Sequence, residues 1–264
     1  MCHDADAAPP LYGSPITTTS SERAVLTSAD GTRFAAFLSR PGRTTGAGVL
    51  VLPDNRGLSA FYERLTERLA EQGHPALAID YFGRTAGTES RGPGFPSMEH
   101  LGKVTRAGLY ADIEAGAGRL RAEGCDAVVS LGFCFGGRLA FMSALSRFRL
   151  DGAIGLYGYP GVLFGSDGPT QMAPDLTGPI LGMFGGADEG ISPEVIAEFG
   201  AALEGAGVEH EIVIYPGAPH SFFELDKPDY AEASADAWSR VLAFLGEMTA
   251  RGDLTSPRAV TKQD

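Results

Sequence analysis

The chain has 264 residues, 44% of them hydrophobic, and a formal net charge of −12. That length holds one large α/β domain or two small ones with a substantial core, and the acidic balance disfavours nucleic acid or an anionic membrane as the main partner. Three cysteines (Cys2, Cys125 and Cys134) make no disulfide framework. No basic-then-apolar leader opens the chain and no apolar run is long enough to span a bilayer, so a cytoplasmic protein is expected.

Residues 1–21, rich in Pro, Ser, Thr and Ala, read as an arm laid on the surface. Residues 25–27 and 34–38, joined across Ser28-Ala29-Asp30-Gly31, predict an antiparallel hairpin. From there strand and helix alternate. Strand 48–52 precedes an amphipathic helix over 61–72 closed by Gly73, and strand 75–79 follows. Helical spacing of Leu101, Val104, Leu109, Ile113 and Leu120 predicts one helix over 98–123. An apolar strand at 127–131 leads to Cys134 and then to a helix-like run over 138–145. Strands at 153–157 and 180–184, a helix over 193–204, a strand at 210–215 and a helix over 230–248 complete the series. Residues 251–264 are polar and read as a frayed tail. Uninterrupted apolar strands alternating with helices predict a mainly parallel sheet covered on both faces. The expected organisation is one domain over 22–250, with function in loops at the strand C-termini. Two of those loops, 83–97 and 158–179, are long and Gly/Pro-rich, as lids and pocket walls often are.

Gly132-Phe133-Cys134-Phe135-Gly136-Gly137 is the most informative stretch. Between a strand and a helix it reads as a nucleophile elbow, with Cys in the place of the commoner Ser. Such a turn strains the nucleophile's backbone and needs small neighbours. It also sets the sulfur at a helix N-terminus, where N–H groups and the helix dipole favour thiolate. The alternative is a buried structural cysteine at a Gly-rich contact.

Asp188 follows the strand ending in Phe184-Gly185-Gly186, and His220 comes five residues after the last strand. Nucleophile, acid and base in that order, at those positions, are what the α/β-hydrolase arrangement requires. His220 would take the Cys134 proton and later activate water, while Asp188 fixes its tautomer. Glu189, next door, is the rival acid; a helix-capping role is the alternative for Asp188. An oxyanion hole would use the backbone N–H of Phe135 and, from the loop after strand 48–52, that of Asn55. In that loop Asp54 would bring a carboxylate near the thiol. His74, His100 and His210 take ordinary structural readings, and His3 beside Cys2 lies in the arm. No His/Cys/carboxylate set has metal spacing, and no dinucleotide or P-loop motif is present, so neither metal nor cofactor is expected.

These pieces together resemble the dienelactone hydrolase family of α/β-hydrolases from about residue 24 to 248. The shared pieces are the Cys elbow, Pro53-Asp54-Asn55-Arg56-Gly57, Asp80-Tyr81-Phe82-Gly83-Arg84, Tyr157-Gly158, Asp188 before Ser192-Pro193, and His220-Ser221-Phe222. The resemblance implies a Cys-dependent lactone or ester hydrolase working through a thioester. Asp54, in place of the family's longer Glu, would contact the resting thiol, and Arg84 would match a family arginine that clamps a substrate carboxylate. Glu224 stands where the family has a second arginine. With a basic clamp offset by an acid, neutral or singly charged lactones and esters are expected, contacted by Tyr81, Phe82, Tyr157 and Phe223. An acyltransferase or C–C bond hydrolase using the same triad, and a non-catalytic ligand-binding protein on the same fold, are the alternatives. A small-molecule substrate and a monomer or small homo-oligomer complete the expectation.

Overall fold

The computed structural model describes residues 7–10, 12–92 and 94–255. Its elements in chain order are β1 (Thr19–Thr27), β2 (Arg33–Pro41), β3 (Gly48–Leu52), α1 (Ala60–Glu71), β4 (Ala76–Ile79), α2 (Gly83–Ala86), α3 (Ser97–Leu101), α4 (Arg106–Ala122), β5 (Val128–Phe133), α5 (Phe135–Met142), β6 (Gly152–Leu156), α6 (Pro169–Met172), β7 (Ile180–Gly185), α7 (Pro193–Ala206), β8 (His210–Tyr215) and α8 (Ala231–Thr255). The strands form one eight-stranded sheet in the order β1-β2-β4-β3-β5-β6-β7-β8. β1 and β2 are antiparallel to their neighbours, and every pairing from β4 through β8 is parallel. This is the α/β-hydrolase fold. Among the described residues no helix is long and apolar enough to cross a membrane.

Alternation along each central strand divides the interior in two. In β3, Val49 and Val51 face a core shared with Phe61, Leu65 and Leu69 of α1, Phe199 of α7 and Trp238 of α8. Leu50 and Leu52 face the other, shared with Leu109, Ile113 and Leu120 of α4. Both faces are covered, so the strands need no polar side and read as continuous apolar runs. The six parallel strands β3–β8 all end at the same edge of the sheet, where the chain turns back toward the helices.

Four departures from the sequence reading have physical causes. The single helix expected over 98–123 is broken: α3 ends at Gly102, and Thr105 starts α4 by accepting the Gly108 N–H at 3.1 Å. The apolar spacing runs through the break because both pieces face the same core. The hairpin is longer than its apolar stretch, since Thr19–Leu26 pairs in register with Phe34–Pro41 although most of β1 is exposed. The N-terminal arm is anchored: Ala7, Pro9 and Pro10 are buried, and the Ala8 carbonyl accepts the Leu225 N–H at 2.9 Å. α8 runs on past residue 248, as Arg251 pairs with Glu247 one turn back and with Glu209 across the surface. Residues 256–264 of the expected tail, like Cys2 and His3, lie outside the described residues.

Candidate active site

β5 ends at Phe133 and α5 begins at Phe135, which leaves one residue to turn the chain. Cys134 does so with φ 54° and ψ −113°, a left-handed conformation that a side chain disfavours. The glycines around it are forced. A Cβ on Gly132 would run into the Gly136 carbonyl, one on Gly136 into the carbonyls of Leu52 and Pro53, and one on Gly137 would sit 2.6 Å from the Leu156 oxygen. The Cys134 N–H donates to Leu156 O at 3.0 Å, fixing the elbow against the end of β6.

Asp188 and His220 are in direct contact. His220 Nδ1 lies 2.6 Å from Asp188 Oδ2, and Asp188 Oδ1 accepts the Gly190 N–H at 2.9 Å. The Asp188 side chain is 2% exposed and that of His220 19%, so the pair is shielded on the carboxylate side and open on the imidazole side. Glu189, the rival acid, is exposed. The Tyr157 ring lies 4.9 Å from the His220 ring at 53°, and Tyr157 directly follows the residue that binds the elbow. Cys134, Tyr157 and His220 thereby share one end of the sheet. Of the five non-glycine residues with positive φ among those described, three belong here: Cys134, Tyr157 and Ser221. Backbone strain of this kind costs about 1–3 kcal/mol per residue and concentrates where chemistry needs an unusual geometry.

The loop after β3 is held by two buried tyrosines. Tyr81 Oη donates to Pro53 O at 2.8 Å, and Tyr62 Oη accepts the Asp54 N–H at 2.9 Å. Asp54, itself buried, accepts the Arg56 N–H on Oδ1 at 2.8 Å. Burial pushes the Tyr81 phenol well above its ordinary range, and the nearby acidic groups of Asp54, Asp80 and Cys134 add to it. Tyr81 therefore stays a neutral donor with those three groups around it. Its ring packs edge-on against Phe135 at 5.5 Å. Asn55 Nδ2 contacts Met98 Sδ at 3.5 Å across the mouth of the loop.

Three expected substrate contacts are placed differently. Arg84 does not stand free to clamp a carboxylate: Nη1 lies 2.6 Å from Asp112 Oδ2 and Nη2 2.9 Å from Asp30 Oδ2. Burial raises the Asp112 carboxyl despite Arg84, whereas the Thr32 N–H and then Arg84 hold Asp30 down at about 2. Phe223 is enclosed between Phe133 and Trp238, and Phe82 is fully buried beneath the Arg91 guanidinium. Both pack the interior. Glu224 is paired with Lys227 at 3.3 Å, which offsets the repulsion expected of it. The 158–179 loop is pinned to α5 and α4. The Arg138 guanidinium, one turn into α5, donates to the carbonyls of Tyr159, Gly161, Ser166 and Asp167, and Arg106 Nη2 donates to Asp167 O at 2.7 Å. Tyr62, Arg91 and Arg138 were not singled out by sequence, and Asp80 only as part of a motif shared with the family. Tyr62 reads as one more apolar-stripe residue, and the other three carry charges whose partners lie far along the chain.

The Dienelactone hydrolase family model matches residues 34–249. A Salmonella typhimurium protein named "Putative carboxymethylenebutenolidase" is 32% identical over 230 residues, 82% of this chain and 84% of its own. A Saccharolobus solfataricus protein of the same name is 28% identical, over 85% of this chain and 98% of its own. The crystal structure of a "Putative Dienelactone Hydrolase" from Klebsiella pneumoniae superposes with a TM-score of 0.73 at 28% identity, covering 86% of this chain and 99% of that one. With the family model spanning most of its length over this sheet order, the chain is an α/β-hydrolase belonging to the dienelactone hydrolase family.

Proposed function

We propose that the protein hydrolyses a lactone or ester with a good leaving group, with Cys134 as nucleophile, His220 as base and acid, and Asp188 as its orienting carboxylate. The observation that carries this reading is the 2.6 Å Asp188–His220 contact at the sheet end that also bears the strained Cys134 elbow. Asp188 takes Nδ1 and so presents Nε2 for proton exchange.

The Cys134 thiolate adds to the substrate carbonyl, and the resulting oxyanion is met by the N–H groups of Phe135 and Asn55. The carbonyl re-forms as the C–O bond breaks, and the alkoxide leaves with a proton from His220. In a lactone it remains tethered to the acyl group. His220 then takes a proton from water, the hydroxide attacks the thioester, and the thiolate is expelled as the acid forms. Asp54, buried beside the same Tyr81 as the thiol, keeps that thiol neutral at rest, and when substrate displaces it the thiol proton passes to His220, which later gives it to the leaving alkoxide. An amide would need its poor leaving amine protonated, so peptides are poor substrates.

The substrate class is neutral or singly charged. Arg84 is occupied by Asp30 and Asp112, and Arg91 by Asp80, which leaves neither guanidinium available to hold a dianion without breaking a pair. Activity on lactones and aryl esters, compared between wild type and Cys134→Ala and with products assayed with and without an alcohol acceptor, tests this. Undiminished turnover by the variant would refute it, and ester formation with the alcohol would make the enzyme an acyltransferase.

A further inference from the structure

Asp80, at the end of β4, is fully buried, and its carboxylate takes donors from three segments. Oδ1 accepts the Leu58 N–H at 3.2 Å, where the loop after β3 ends. Oδ2 accepts the Phe82 N–H at 2.9 Å and lies 2.7 Å from Arg91 Nη1. The loop comes as near to this carboxylate as its backbone allows. Gly57 has φ +78°, and a Cβ there would stand 2.6 Å from Asp80 Oδ1.

Arg91 is nine-tenths buried and carries the contact onward. Its guanidinium lies 4.7 Å over the Phe95 ring and 5.5 Å over that of Phe82. Phe95 stacks on His100 at 4.7 Å and 21°. On the same short helix Met98 meets the side chain of Asn55. The loop bearing Asn55 is therefore gripped from beneath by Asp80 and at the rim by Met98, and Arg91 joins the two grips. A buried ion pair gains little net stability, because desolvation offsets most of its attraction. What it supplies is a fixed geometry.

We propose that Asp80 and Arg91 are positioning residues for the oxyanion hole, setting the loop after β3 where the Asn55 N–H meets the developing oxyanion. The proposal rests on the assignment of Cys134 and Asn55 above. Misplacing a reacting group by about 1 Å costs on the order of a hundredfold in rate, and losing one oxyanion donor about 10²–10³ in kcat.

The test compares two reactions of the same thiol. Iodoacetamide is displaced at a saturated carbon and forms no oxyanion, whereas ester hydrolysis forms one. In R91M, kcat on an aryl ester is expected to fall about tenfold to a hundredfold with KM within about twofold. The alkylation rate of Cys134 should stay at the wild-type value, and R91K, which keeps a cation against Asp80, should recover most of the loss. If R91M does not fold, D80N reads the same two rates. Wild-type kcat in R91M or D80N, or parallel falls in kcat and alkylation, would overturn the proposal, since the pair would then serve only the general fold. Hydrolysis that persists in wild type after complete alkylation of Cys134 is the separate failure of the nucleophile assignment, on which this proposal falls too.

Discussion

Asp188 binds His220 through one carboxylate oxygen, Oδ2 to Nδ1 at 2.6 Å, and its own loop through the other, Oδ1 to the Gly190 N–H at 2.9 Å. The carboxylate is thus fixed before it orients the imidazole. Asp188→Asn keeps one oxygen for a single acceptor role but offers an amide where the imidazole N–H needs an acceptor. The expected result is a kcat loss of about a hundredfold or more with little change in melting temperature. Steady-state kinetics beside a thermal melt checks it, and a fully active variant would pass the acid role to another group.

Asp54 predicts a shift with a definite sign. A nearby carboxylate disfavours the thiolate, so removing its charge lowers the apparent thiol pKa. D54N keeps an oxygen for the Arg56 N–H while losing the charge. Its alkylation profile against pH should move to lower pH, with faster modification at neutrality and slower ester turnover. An unmoved profile would leave Asp54 as a loop-capping residue.

Arg84 is expected to matter for stability and not for substrate charge. In R84A the Asp112 carboxylate, 0% exposed, loses its cation, which costs about 3 kcal/mol of folding stability. KM for a carboxylate-bearing dienelactone should stay within about twofold of wild type. Urea melts and kinetics on the free acid and its uncharged ester separate the two effects. A strong preference for the acid that disappears in R84A would restore the clamp.

Gly136→Ala tests the elbow's packing. Its methyl group would be driven into the carbonyls of Leu52 and Pro53, which belong to β3 and to the loop carrying Asn55. Overpacking against backbone costs about 1–3 kcal/mol, and any relaxation must move that loop. Loss of both melting temperature and kcat is expected, and a variant with wild-type values of both would show that the elbow tolerates a side chain.

Much of this was legible in the sequence for a physical reason. Strands β3–β7 are buried on both faces, so Val49–Leu52 or Leu181–Phe184 declare themselves as apolar runs. Cys134, Asp188 and His220 stand in loops whose order follows from chain order. The break between α3 and α4 was hidden because Leu101, Val104 and Leu109 keep helical spacing to a common core, while the Thr105 cap is a weaker local signal. The ion pairs of Arg84 were not legible because its partners come from the hairpin turn and from α4, a pairing only the folded chain creates. Tyr62 falls on an apolar position and reads as core, and Tyr81 reads as a substrate contact, while the hydroxyls with which both hold the loop after β3 left no trace in the pattern.

The most direct test of the central claim follows Cys134 modification and activity together. Burial pushes the Cys125 thiol up to about 11, so near pH 8 only about one molecule in 10³ carries that thiolate, and it should stay silent. Wild-type enzyme is treated with iodoacetamide at pH 8, and each cysteine peptide is quantified by mass spectrometry against residual hydrolysis of an aryl ester. Activity is expected to fall in proportion to carbamidomethylation of Cys134. Full activity in enzyme fully modified at Cys134, or inactivation that tracks Cys125 or Cys2 instead, would contradict it.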